Sequence, residues 1–198
     1  NPKVDRLTFS TILEIDGRGR VVGRSFTRPV IRTSERMTYT DVNAILEDGD
    51  AALKARYAGL IEDFGRMHQL YEILKKRRQA RGSIDFDLPE ADVLLGEAGE
   101  IESIRASERN VAHRLIEEFM LAANEAVAQE LVFSEQPGMY RVHQRPEAQK
   151  LEDLKVILKE FKLQLRGDPE EIRPGELQRI LKAVADTPEE RFLTELIL

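Results

Sequence analysis

The chain has 198 residues, a net charge of −6, no cysteine, and 41% hydrophobic against 33% charged residues. That composition suits one large domain or two small ones with a buried core. It excludes disulfides, thiolate metal sites and a cysteine nucleophile, and it argues against indiscriminate nucleic-acid binding by the whole surface.

The charge is uneven. Residues 1–40 hold eight Lys/Arg against four acids, a local excess of +4 that points to one face meeting an anion. No stretch approaches the ~20 apolar residues of a membrane span, and no charged-then-apolar leader opens the chain. The expectation is a cytoplasmic protein without membrane contact. The start at NPKVDRL and the stop at RFLTELIL, an apolar helical pattern with no stop signal, suggest a piece of a longer protein.

Residues 7–15 and 21–33 are β-rich and flank DGRGR, which predicts a hairpin. Pro29 forbids a central, fully paired strand there. A short helix follows at 40–47, with Thr38 or Thr40 as cap. Residues 51–80 read as one long helix, because Leu53, Tyr57, Leu60, Phe64, Met67, Tyr71 and Leu74 recur at three- and four-residue steps. Gly59 and Gly65 cost about 1 kcal/mol each there, so close packing is expected around them. Gly82 ends the helix.

Three short strands are predicted next, at 84–88, 91–95 and 101–106. A second long helix covers 108–132, with Ser107 as N-cap and Asn110 at the third position. MYRVH at 139–143 is a strand candidate. Pro146 opens a helix with Leu151, Leu154, Leu158 and Phe161 on one stripe, and helices at 175–184 and 187–198 close the chain. The fold class predicted is α+β: a helix-rich mixed domain with a small antiparallel sheet and two long helices.

The second long helix carries an unusual edge. At 100° per residue and with His113 at zero, Asn124 lies at roughly 20°, Glu117 at roughly 40° and Asn110 at roughly 60°. Leu115, Phe119, Ala122, Ala123 and Ala126 form the apolar face. A narrow polar stripe bordered by apolar residues is how a helix presents groups into a cleft. The bland reading is a solvated flank with one His–Glu pair at i,i+4, worth about 0.2–0.5 kcal/mol.

Other constellations say less. Arg18, Arg20, Arg24, Arg28, Arg32 and Arg36 fall on even positions, so an unbroken strand would align them along phosphates. A solvated sheet face explains them equally well. KKRRxxR at 75–81 sits at a helix C-terminus, where cations are favoured anyway. Asp85 and Asp87 flank Phe86. A DxD pair can hold magnesium, and Phe86 is either core or a platform for stacking a base.

Five segments taken together are more specific: NPKVDRLTFS, MTYTDV, RGSIDFDLPE, ERNVAHRLIEEFMLAAN and MYRVHQRPEAQKL. In that order they resemble the RNB catalytic domain of ribonuclease R and ribonuclease II, the hydrolytic 3′→5′ exoribonucleases, essentially from end to end. The resemblance implies a channel for single-stranded RNA and release of nucleoside monophosphates by magnesium- or manganese-assisted attack of water. It places Phe86 against the terminal bases and Tyr39 and Glu117 near the ribose, with His113 and Asn124 as possible supports.

The family's aspartate cluster is missing here, as is its arginine-rich segment. The resemblance therefore implies that residues 1–198 are the middle of an RNB domain, with the metal ligands elsewhere in a monomeric parent enzyme, and that this stretch is inactive by itself. Two rivals remain at this stage: a non-catalytic RNA or protein interaction module, and a small metal phosphodiesterase using Asp85, Asp87 and Glu117.

Overall fold

Asp16 sets the first hairpin by satisfying the backbone of its own turn. In the computed structural model, which describes residues 2–85, 91–96, 98–106, 109–142, 144–168 and 172–198, its carboxylate accepts the Arg18 and Arg20 N–H groups at 2.9 and 2.8 Å. The left-handed position of the turn falls on Gly19 (φ 75°), where a side chain would meet Ile73 and Arg77 at 3.2 Å. Strands β2 (Ser10–Ile15) and β3 (Val21–Thr27) pair across this turn, with a bulge between Glu14 and Ile15. Pro29 then interrupts the ladder. Beyond it β4 (Val30–Arg32) leaves β3 and pairs with β1 (Asp5–Leu7). The predicted hairpin is therefore two short antiparallel ladders, broken where proline removes a backbone donor.

The third ladder joins β5 (Ala91–Leu95) and β6 (Ile101–Ala106). Among the described residues the small antiparallel sheet that was expected takes the form of three two-stranded ladders, and the class is mixed α+β as predicted. Of the strand predicted at 84–88, Ile84 and Asp85 are irregular, and 86–88 lie outside the described residues. The strand predicted at 139–143 is absent from 139–142, and His143 lies outside the described residues. The segment follows Pro137 and Gly138 and finds no ladder partner among the described residues.

The described chain forms two compact units, Asn1–Arg77 with Pro89–Tyr140, and Arg78–Leu88 with Arg141–Leu198. In the first, α1 (Tyr39–Asn43) runs into a π-helical turn, Ala44–Asp48, that buries Ile45. The long helix expected over 51–80 is broken. Helix α2 (Ala51–Arg56) stops at Tyr57, a 3₁₀ turn spans Ala58–Leu60, and α3 (Ile61–Ala80) follows. The break coincides with Gly59, a poor helix former. Nothing lies within 4 Å of where a Cβ would sit at Gly59 or Gly65, so tight packing does not account for these glycines. The apolar stripe is nonetheless real: Phe64, Tyr71 and Leu74 are buried.

Helix α4 (Val111–Phe133) is the longest element and buries Leu115 and Ala126 on its predicted apolar face. Among the described residues no helix is long and apolar enough to cross a membrane.

The second unit is helical. Helices α5 (Ala148–Glu160), α6 (Pro174–Val184) and α7 (Glu190–Ile197) close over Leu151, Leu154, Leu158, Leu165, Ile180, Val184 and Leu193. Proline opens α6, where its missing N–H costs nothing. Gly82 (φ 92°) ends α3 as predicted. A side chain there would come within 2.7 Å of the Gly175 nitrogen, so glycine is required by both backbone angle and space.

Candidate functional site

The polar edge of α4 begins at its N-cap. Asn110, not Ser107, holds that position, and the helix starts at Val111; Ser107 lies outside the described residues. The Asn110 Oδ1 accepts the His113 N–H at 3.3 Å and stands 2.8 Å from the His113 Nδ1. One side chain thus satisfies an otherwise unpaired helix amide and fixes an imidazole ring. The next orphan donor, Val111 N–H, is taken by the Asn43 side-chain oxygen at 3.2 Å. Asn43 is the last residue of α1, so this bond ties α1 to the start of α4.

That tie positions Tyr39. Thr38 caps α1 by accepting the Asp41 N–H at 3.1 Å, as predicted. Tyr39 then opens the helix, and its ring stacks on His113 with centroids 3.9 Å apart and planes at 27°. The tyrosine remains 45% exposed. Glu117 follows His113 by one helical turn, about 6 Å along the axis. Its Oε2 is held by the Arg109 Nη2, and its side chain is 41% exposed. A phenol stacked on the imidazole and, one turn further along α4, an anchored carboxylate are thus both partly exposed. Such a pair can accept and donate hydrogen bonds to a hydroxyl-bearing ligand.

Asn124 is exposed and lies about 16 Å along α4 from His113, so it joins neither group. Phe86 and Asp87 fall outside the described residues. Asp85 pairs with Arg78 at 3.6 Å. Among the described residues no group of three or more His, Asp or Glu is gathered as a metal cage. Of the three carboxylates suggested as metal ligands, Asp87 lies outside the described residues, and Asp85 and Glu117 each face an arginine. The described pair, each carboxylate engaged by an arginine, does not by itself make a magnesium site, which takes carboxylates still free to coordinate.

The even-numbered arginines do not form a track. Arg20 returns to Asp16 at 2.8 Å, Arg32 crosses to Asp5 at 2.6 Å, and Arg24 reaches Glu130 at 3.0 Å and Gln129 at 3.1 Å on α4. The Pro29 break and the Glu14–Ile15 bulge destroy the common face that an unbroken strand would supply. The basic run at 75–81 is likewise used within the fold: Arg77 donates to the Gly19 carbonyl and Arg78 to the Ser83 hydroxyl. Lys75 lies 5.1 Å over the Tyr71 ring. A hydrogen bond with the Tyr71 side chain raises its pKa above the usual lysine value, and the charges of Tyr71 and Glu72 add to the effect.

Sequence reasoning missed two features. Arg109 lies in the segment assigned to a capping motif, and nothing in periodicity connects it to a residue eight positions on. Glu118, next to Glu117, is 4% exposed. Its i,i+4 spacing from Arg114 was the one available sign that charge enters the interior there.

Known proteins bear on this arrangement. The chain matches the family described as RNB domain across residues 1–198. Ribonuclease R of Aquifex aeolicus is 40% identical over 196 residues, which are 98% of this chain and 28% of the relative. Ribonuclease R of Escherichia coli is 35% identical over 200 residues, covering 100% of this chain and 24% of the relative. Among solved structures, the apo form of Mycoplasma genitalium RNase R superposes with a TM-score of 0.89 at 24% identity, over 100% of this chain and 31% of that one. The same enzyme in complex with ribose methylated single-stranded RNA also gives 0.89. At that identity the likeness establishes the fold. The chain spans about a quarter of the length of these curated relatives.

Proposed function

This chain belongs to the RNB domain family, and from that premise we propose that it is part of a 3′→5′ exoribonuclease that hydrolyses single-stranded RNA to nucleoside 5′-monophosphates. Its contribution is a wall that reads ribose, formed by Tyr39 and Glu117, with Phe86 stacking on the terminal bases. The observation that carries this reading is the anchored, solvent-facing Glu117 carboxylate one turn from the His113 ring on which Tyr39 stacks. A carboxylate so placed accepts a hydrogen bond from a 2′-hydroxyl, which DNA lacks. Solved structures of Mycoplasma genitalium RNase R in complex with single-stranded and with double-stranded RNA support the substrate class.

His113 holds Tyr39 in this scheme and touches no substrate. Asn124, three turns along α4, has no part in it. The residues described do not make a metal cage, and we assign the divalent-ion ligands to other parts of the complete protein. The cysteine-free composition suits the cytoplasmic, monomeric enzyme that goes with this reading.

The test is degradation of RNA and of the matching DNA by the complete protein, with and without Glu117→Ala. Loss of a hydrogen bond to a charged acceptor is worth about 1.5–3 kcal/mol. The ratio of RNA to DNA turnover is therefore expected to drop roughly 10- to 100-fold, mostly through slower RNA degradation. An unchanged ratio would remove Glu117 from the reading.

A further inference from the structure

The geometry points to Arg109 as the positioning residue that aims the Glu117 carboxylate and cancels its charge beside a polyanion. This rests on the ribose-reading role proposed above and adds a second residue to it.

A glutamate side chain at a helix surface has three rotatable bonds and samples several rotamers. Such a side chain, 41% exposed, would present its oxygens over a range of positions. The Arg109 guanidinium bonds Oε2 and leaves Oε1 as the oxygen free to accept from a ligand hydroxyl. The anchor is itself fixed. Arg109 directly precedes Asn110, whose side chain is committed to the His113 amide and ring. It therefore reaches Glu117 from the held N-terminus of the same helix rather than from a separate element.

The second part of the argument is electrostatic. A bare carboxylate turned toward an RNA strand faces phosphates of the same sign, a repulsion that grows as the site loses water. Paired with Arg109 the carboxylate has its charge offset yet still carries a strong acceptor. Arginine, with a planar fork of donors, fixes direction as well as charge, whereas lysine would supply charge alone.

The two parts separate experimentally in the complete protein. Turnover is measured on RNA and on an otherwise identical strand lacking 2′-hydroxyls at its 3′-terminal nucleotides, for wild type, Arg109→Ala, Arg109→Lys, Glu117→Ala and the double variant Arg109→Ala/Glu117→Ala. Arg109→Ala is expected to lower the RNA-to-deoxy ratio about tenfold and to raise KM for RNA. Arg109→Lys is expected to restore KM and leave the ratio low. In the Glu117→Ala background, removal of Arg109 is expected to leave the ratio where Glu117→Ala put it, because the residue acts through that carboxylate.

The inference is overturned if Arg109→Ala and Arg109→Lys keep the wild-type ratio while Glu117→Ala lowers it. It is equally overturned if Arg109→Ala lowers the ratio by the same factor with and without Glu117. A Glu117→Ala enzyme with an unchanged ratio removes the underlying reading itself, an outcome distinct from the other two. Should Arg109→Ala fail to fold, Arg109→Lys carries the comparison.

Discussion

The N-terminal edge of α4 and the core of α5–α7 are built from the same helical repeat and put it to opposite uses. In α5–α7 the inward-facing apolar positions meet one another: Leu158, Ile180 and Leu193 are wholly buried. Around the start of α4, polar side chains stand at the margin of the apolar face and hold each other in place, Asn110 to His113, Asn43 to Val111 and Arg109 to Glu117. A packed stripe needs only the right period. A polar margin needs specific partners, and those partners leave Glu117 and Tyr39 held yet partly exposed.

The contrast can be broken most sharply at Leu158. Leu158→Ala leaves a cavity at a fully buried site and is expected to destabilise the chain by about 2–5 kcal/mol. The measurement is the urea midpoint, and the sugar preference of the folded complete protein should not move.

Next in size is Asn110→Ala, which removes an N-cap and the partner of His113. It is expected to cost about 1–2 kcal/mol of stability. Unlike Leu158→Ala it should also erode the RNA-to-DNA ratio, because Tyr39 rests on the ring that Asn110 holds. An Asn110→Ala enzyme with lower stability and an intact ratio would reduce the α4 edge to scaffold.

The smallest effect sharpens the comparison from inside α3. The folded-state pKa of Lys75 lies above its ordinary value of 10.5. Its contact with Tyr71 thus contributes stability that is fully present below that value and fades as pH rises through the folded pKa. Urea midpoints taken from about pH 10 upward should fall less steeply for Lys75→Met than for wild type. Equal slopes would remove the contact from the account.

How much was legible in the sequence follows the same division. The stripes of α3 and α5 were read correctly because Phe64, Tyr71, Leu74, Leu151, Leu154 and Leu158 obey a period that packing enforces. Thr38 and Gly82 were legible because a cap and a left-handed terminus each demand a particular residue type. The edge of α4 was legible as a stripe, but only partly as a site. Periodicity placed Glu117 and His113 together and put Asn124 on the same stripe three turns away, since angle alone ignores distance along the axis. It could not find Arg109, whose role depends on side-chain reach.

Strand pairing was the least legible part. The switch of β4 from β3 to β1 depends on Pro29 and on contacts that local composition does not encode. MYRVH shows the converse, a β-rich string with no ladder partner among the described residues. The shared faces expected for the even-numbered arginines failed with it, because a face exists only where a strand continues.

The most direct test of the central claim uses a single atom. The complete protein is given an RNA strand carrying one 2′-deoxynucleotide inside its 3′ region, and degradation is followed nucleotide by nucleotide. Wild type is expected to slow at that residue, and Glu117→Ala to pass it at the reduced rate it shows on every other nucleotide. If Glu117→Ala still slows at the deoxynucleotide by the wild-type factor, the carboxylate at position 117 does not read the sugar.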